Sequence, residues 1–323
     1  MRELQSWRIA RDVTAPRNDS AQSRCLSCGG PGAALGYAPR QPLARCAHCG
    51  LVFAERWQSG FNAIHEDVYA THLRQAYEYD PLNLSRIGAI FASAERQVSG
   101  RRLLDVGCGH GEVVHVGNGR GWDARGIDLS PSAIALCQSK GLACSVLDFF
   151  DRSLESAQFD LLTMSEFLEH VPSPVKFLSR ARELLRPGGL VYLTTPNFDA
   201  ASRRVLRGDW PPIHPEHIAY FTQETLQNAA TQAGLQTLSL ESRNLSLAVP
   251  VAMVSKLRAR LRPPARASAA AAPSDIVDHM SATQRLRRGI SSSPLLQKAR
   301  DATNGLLALT RAGETLVGWF KLA

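Results

Sequence analysis

The chain has 323 residues, of which 44% are hydrophobic and 20% charged, and it carries a net charge of +8. That length buries a full α/β core with room for a small accessory module, and no apolar run approaches the roughly 20 residues that a membrane span needs. Nor does the charge describe a nucleic-acid surface: Glu241 to Ala323 holds thirteen Lys and Arg against five Asp and Glu, so the rest of the chain is neutral overall.

Residues 1–20 are mixed polar and lack the basic-then-apolar order of a secretory signal, which reads as a flexible N-terminus on a cytoplasmic protein. In a reducing compartment the seven cysteines do not form a disulfide framework. Four of them are spaced Cys25-x2-Cys28-x17-Cys46-x2-Cys49, each pair followed by a glycine (Gly29, Gly50) that permits a tight turn. Two such knuckles can place four thiolates around one structural Zn²⁺, so residues 21–55 are predicted to form a zinc ribbon. Cys108, Cys137 and Cys144 have no such spacing and read as small buried residues.

Residues 56–99 are mainly helical in pattern and carry Tyr69, Tyr77 and Tyr79, which suggests a helical cap. From Arg102 onward, short apolar runs alternate with helical stretches: Leu103–Val106, Ala124–Leu129, Ala143–Leu147, Phe159–Met164 and Leu190–Thr195. Runs of this kind, bounded by Gly and Asp, predict the parallel strands of an α/β sheet with helices on both faces. A helix near Thr222 to Ala233, a strand at Leu235–Glu241 and a last strand at Glu314–Phe320 follow. If those two strands pair, residues 100–245 form the main domain, 246–311 a helical basic insertion and 312–323 its final strand. Residues 256–266 within the insertion are dense in Lys and Arg and suit an anionic partner or a membrane surface.

The strand Leu103–Val106 runs into Gly107-Cys108-Gly109-His110-Gly111, and the next strand ends at Asp128, about 20 residues on. The glycines let the backbone pass close beneath a ligand, and an acidic residue at the second strand tip can accept both hydroxyls of a ribose. Glu112 stands where a dinucleotide fingerprint needs its third glycine, and a carboxylate there opposes a pyrophosphate. A positively charged nucleoside cofactor fits better, with Asp105 near the first turn as a favourable neighbour. The helix after the loop is expected to be shortened, because Gly117-Asn118-Gly119 interrupts it.

Two polar clusters follow strands four and five. Ser165-Glu-Phe-Leu-Glu-His170 places Glu166, Glu169 and His170 at i, i+3 and i+4, on one face if the segment is a helical turn. His214-Pro-Glu-His217-Ile-Ala-Tyr220 adds Glu216 and His217. An imidazole beside a carboxylate suits proton removal near neutral pH, so Glu169, His170, Glu216 and His217 are the candidate catalytic residues.

The stretches Leu104-Asp-Val-Gly-Cys-Gly-His-Gly111, Gly126-Ile-Asp-Leu-Ser130, Leu147-Asp-Phe149 and Leu185-Arg-Pro-Gly-Gly-Leu190 together resemble the ordered motifs of class I S-adenosylmethionine (SAM)-dependent methyltransferases. The resemblance implies a Rossmann-like seven-stranded sheet with SAM as cofactor. It implies that Asp105, Gly107, Cys108 and Gly109 line the methionine part, that Asp128 and Leu129 hold the ribose, that Asp148 and Phe149 flank the adenine, and that Glu166 lies near the cofactor. The zinc knuckles with Glu216-His217 resemble sugar methyltransferases, where Tyr77 would also act near the acceptor; this implies a small-molecule, sugar or glycan acceptor and a His/Glu base. Glu166-x-x-Glu169-His170 resembles instead the Mg²⁺ site of ubiquinone-pathway O-methyltransferases and of small-RNA 3′-end methyltransferases. A third reading makes the ribbon a binding module on a non-catalytic platform.

Overall fold

The computed structural model describes residues 23–35, 41–57, 66, 69–72, 77–244 and 310–323. The expected flexible N-terminus and the basic segment 256–266 lie outside the described residues. No helix among the described residues is long and apolar enough to cross a membrane.

In chain order, a small antiparallel unit comes first: β1 (Gly32–Ala34), β2 (Leu43–Cys46) and β3 (Val52–Ala54). Helix α1 (Pro81–Ala94) starts cleanly because Asp80 accepts from the Leu82 N–H and Pro81 fills the first helical position, where no donor is needed. The main sheet then opens with β4 (Arg102–Val106), α2 (Glu112–Gly119), β5 (Asp123–Asp128), α3 (Pro131–Ser139), β6 (Cys144–Val146), β7 (Phe159–Ser165), α4 (Pro174–Leu184) and β8 (Leu185–Pro196). A short helix α5 (Ala201–Leu206), strand β9 (Ala219–Tyr220), helix α6 (Gln223–Gln232), and strands β10 (Leu235–Arg243) and β11 (Thr315–Leu322) complete the chain. Thr222 and Thr225 form a reciprocal capping box that fixes the start of α6.

The large sheet runs β10-β11-β8-β7-β4-β5-β6. Pairing is parallel from β8 to β6, as the hydrophobic pattern predicts, and antiparallel where β11 inserts between β8 and β10. Strand β7 reads Phe-Asp-Leu-Leu-Thr-Met-Ser, buried through Met164, because a central parallel strand is covered on both faces. One face packs Val106, Leu162, Leu193 and Phe320 against α4 and α6; the other packs Leu103, Leu161 and Tyr192 against α1 and α2.

Helix α2 is short, as expected, but it runs through Gly117 and ends at Gly119. A Cβ at Gly117 would stand 2.9 Å from both the Ala124 Cβ and the Phe91 Cζ, so this glycine is a contact point between the helix, α1 and the sheet. At Gly119 a Cβ would meet nothing within 4 Å. Gly117→Ala is therefore expected to lower stability by about 1–3 kcal/mol through overpacking. Gly119→Ala should raise it by roughly 0.4–1 kcal/mol through reduced unfolded-state entropy. Paired urea titrations check both, and equal effects in the two variants would contradict this packing.

The N-terminal unit is joined to the main domain through its sheet and its core. Its sheet takes a fourth strand, β9, from the main domain, pairing Val52 with Tyr220 and Phe53 with Ala219. Cys25, Cys46, Leu51 and Phe53 belong to the main apolar core, while Leu43 and Val52 pack with Phe198, Trp210 and Tyr220. The ribbon and the main domain share their interiors.

Candidate functional site

The glycine turn after β4 places Gly107, Gly109 and Gly111 at positive φ, and all three positions have side chains pressed against them. A Cβ on Gly107 would meet the Phe167 ring at 2.7 Å, and one on Gly109 would meet the Tyr69 hydroxyl at 2.7 Å. Asp128 anchors this turn as well as pointing out of the sheet: it accepts from the Gly109 N–H at 3.0 Å and from the Ser130 N–H at 2.9 Å. A carboxylate with about four acceptor positions can keep both backbone contacts and still receive ribose hydroxyls. Leu129 and Val146, 45% and 50% exposed, stand at the neighbouring tips of β5 and β6 and can cover an adenine ring. Asp148 follows there and accepts from the Phe150 N–H, while Phe149 is buried in the core, stacked with Phe177 at 5.9 Å.

Asp105 is buried and accepts from the Thr163 hydroxyl at 2.6 Å. Burial pushes its carboxyl up to about 7, against the lowering effect of that hydrogen bond. A cationic ligand above the loop favours its charged form. Cys108, Cys137 and Cys144 are buried together behind the turn, as expected of small apolar side chains, and the Cys137 thiol donates to the Gly109 carbonyl.

Three residues at this end had no legible signal in the sequence. Glu66 accepts from the Ser130 hydroxyl and the Ser132 N–H, at the N-terminus of α3. His72 and His110 share a 2.7 Å hydrogen bond, and burial, with His72 and Lys140 nearby, drives the His110 imidazole down to about 4. Tyr77, expected to act near the acceptor, is stacked on His110 at 4.1 Å.

At the tip of β7 the expected helical turn is not formed as such. Glu166 ends β7 in the left-handed region, with φ at +50°, and its N–H donates to the Thr194 carbonyl. Only Leu168–His170 form a turn, of the tighter 3₁₀ type, so Glu166, Glu169 and His170 do not share a helix face. The side chains converge differently: Glu169, His170 and His217 place one ligand atom each within 4.8 Å of one another. Glu169 is fully buried, accepts from the Thr195 hydroxyl at 2.9 Å through Oε2, and leaves Oε1 without a hydrogen-bond partner. Burial, reinforced by the neighbouring Glu166, holds its carboxyl well above the usual range, and burial raises Glu166 too.

His170 Nδ1 lies 2.9 Å from the Glu216 carbonyl. A carbonyl can only accept, so Nδ1 carries the proton and Nε2 keeps its lone pair in the neutral ring. Glu216 contributes this backbone oxygen. The His170 and His217 rings meet edge to face at 4.7 Å, and His214 lies 3.9 Å from His217.

The four ribbon cysteines also lie within 4.8 Å of one another, with Sγ separations of 3.5 Å for Cys25–Cys49 and 3.4 Å for Cys28–Cys46. Four thiolates at Zn–S distances of about 2.3 Å would stand about 3.8 Å apart, so this donor set fits one tetrahedral Zn²⁺. The Ser27, His48 and Cys49 N–H groups point at Cys25 and Cys46 sulfurs at 3.4 Å, which stabilises thiolate charge.

The sheet order, the glycine turn and the acidic strand tip define a class I SAM-dependent methyltransferase fold. The family described as "Methyltransferase domain" matches residues 72–240, just over half of the chain, and the chain belongs to that family. Among characterised relatives, a ubiquinone biosynthesis O-methyltransferase from Paraburkholderia phymatum is 32% identical over 133 residues, 39% of this chain and 57% of that protein. One of the same name from Aromatoleum aromaticum is 29% identical over 184 residues, 53% of this chain and 76% of that protein. The match thus spans little more than half the length of several such relatives. A SAM-dependent methyltransferase from Archaeoglobus fulgidus superposes with a TM-score of 0.47 at 16% identity, covering 74% of this chain and 94% of that one.

Asp128→Ala is expected to weaken SAM binding by on the order of 1–3 kcal/mol, since it removes both the anchor of the Gly109 turn and a charge-assisted acceptor. Calorimetric titration with SAM measures this, and an unchanged affinity would contradict the assignment.

Proposed function

We propose that this protein transfers the methyl group of SAM to a hydroxyl of a small-molecule acceptor held at Glu169, His170 and His217, with a divalent cation as partner of those three side chains. The observation that carries this reading is the convergence of two imidazoles on a buried carboxyl whose Oε1 has no hydrogen-bond partner. Glu166 and Glu169 stand together in a buried site, where a shared proton relieves the repulsion between them and a bound cation would relieve it equally. Two nitrogens and one carboxylate suit Mn²⁺, Fe²⁺ or Zn²⁺ better than Mg²⁺, which prefers oxygen ligands. When bound, such an ion lowers the pKa of a coordinated hydroxyl and fixes its position.

The chain's own residues do the rest. The glycine turn and Asp128 seat the cofactor. Thr195 orients Glu169, and the Glu216 carbonyl fixes His170 as the Nδ1–H tautomer, directing its Nε2 lone pair toward either a cation or an acceptor proton. In-line displacement at the methyl group then depends on positioning the acceptor oxygen. The names of the relatives, O-methyltransferases of ubiquinone biosynthesis, favour an oxygen acceptor.

A second reading is favoured by one observation, the pairing of the ribbon with the strand that follows His217. In it the acceptor is a sugar or glycan, and His170 or His217 takes the proton directly. The basic run 256–266 is a proposed contact for an anionic group on such an acceptor or for a membrane surface. A screen of catechol-type phenols and nucleotide sugars with labelled SAM, with and without EDTA, separates the readings. The first expects phenol methylation that EDTA abolishes and Mn²⁺ restores. Sugar methylation indifferent to EDTA would replace it with the second.

A further inference from the structure

Strand β9 is two residues long, and a strand so short holds its place only through what pairs with it. On one side it is held by the ribbon. The Ala54 N–H donates to the Ile218 carbonyl at 2.9 Å, and β3 pairs with Ala219 and Tyr220. Gln41, buried just ahead of β2, donates through Nε2 to the His217 carbonyl at 3.1 Å, and its Oε1 accepts from the Tyr220 hydroxyl at 3.5 Å. On the other side the Ile218 N–H donates to the Glu169 carbonyl at 2.8 Å. Residues 217–220 are therefore clamped between a ribbon whose shape depends on four cysteines and the backbone of Glu169 itself.

We propose that Gln41 is a positioning residue: with β3 it lets the zinc-ribbon sheet set where the His217 imidazole stands relative to Glu169 and His170. The inference rests on the reading of those three side chains as the reaction centre. A peptide carbonyl bonded to a buried amide cannot rotate without breaking that bond, and rotating the His217 peptide moves the ring attached to it. Misplacing a catalytic group by about 1 Å can cost on the order of 10²-fold in rate, so a contact remote from the cofactor can govern turnover. Among the described residues the Gln41 side chain bonds to His217 and Tyr220 and not to the glycine turn, so cofactor affinity should not depend on it.

The test uses the full-length, zinc-loaded protein and two variants. Gln41→Glu keeps the size of the side chain but sets a carboxylate against the His217 carbonyl, and Gln41→Ala removes the contact. Thermal unfolding and zinc content verify that both variants fold. The readouts are hydrogen exchange of the 217–221 amides, Mn²⁺ affinity by electron paramagnetic resonance, SAM affinity by calorimetry, and kcat and KM. The expected result is faster exchange at 217–221, Mn²⁺ affinity and kcat lowered tenfold or more in both variants, and zinc content and SAM affinity unchanged. Unchanged exchange at 217–221 in both variants overturns the proposal whatever the activity shows. Faster exchange with unchanged kcat overturns it too, provided His217→Ala does abolish turnover. If His217→Ala is itself fully active, the reaction-centre reading fails and the proposal falls with it, a failure that accelerated exchange distinguishes from the absence of a brace.

Discussion

His217→Ala is expected to lower turnover by about 10²-fold or more while SAM still binds, because the variant loses one of three converging groups that the proposed function assigns to the acceptor. Glu169→Gln should behave alike for a different reason: the amide keeps an acceptor for the Thr195 hydroxyl but cannot balance a cation. The two variants also separate the chemistries. If a cation holds the acceptor, both lose Mn²⁺ binding and EDTA mimics them in the parent protein, while the ribbon zinc remains. If an imidazole takes the proton directly, His217→Ala is slow but EDTA has no effect. Full activity in His217→Ala, Glu169→Gln and EDTA alike would remove this cluster from the reaction.

Loss of one ribbon thiolate should unfold far more than a ribbon. Structural zinc contributes roughly 10–16 kcal/mol in isolated finger peptides, and the net stability of a domain is only about 5–15 kcal/mol. Because Cys25 and Cys46 lie in the main core beside Phe53, that contribution cannot be confined to the N-terminal unit. Cys25→Ser or Cys46→Ser is therefore expected to lose the metal and to lower the melting temperature of the whole protein by on the order of 10 °C, in a single transition. Differential scanning calorimetry with metal analysis measures both. A small early transition followed by an unshifted main one would show that the ribbon folds independently.

What could be read in the sequence and what could not divides along physical lines. The strands around Leu103–Val106 and Phe159–Met164 were legible because buried parallel strands must be continuously apolar, and the glycine turn because only glycine tolerates its positive φ. The convergence of Cys25, Cys28, Cys46 and Cys49 was legible because a four-thiolate metal site would demand that spacing. The geometry at Glu166 was not, since the i, i+3, i+4 pattern assumes a helix and the chain leaves β7 through a left-handed residue. Nor were Gln41 and Glu66, whose partners lie 176 and 64 residues away in the chain. A polar residue that acts across such a separation leaves no local pattern.

The pairing of β10 with β11 bears on how this chain could have been assembled. The two strands pair to their ends past a bulge between Thr237 and Ser239, Arg243 opposite Thr315, with Asn244 in the left-handed region and its carbonyl accepting from the Glu314 N–H. The chain thus leaves the sheet after Asn244 and returns to it at Glu314 beside the same point. Replacing some seventy residues by a turn of about four would save roughly 2–3 kcal/mol of closure entropy and disturb no strand. That doorway can exchange its contents, and with them any preference for a partner, while the sheet that seats the cofactor stays the same.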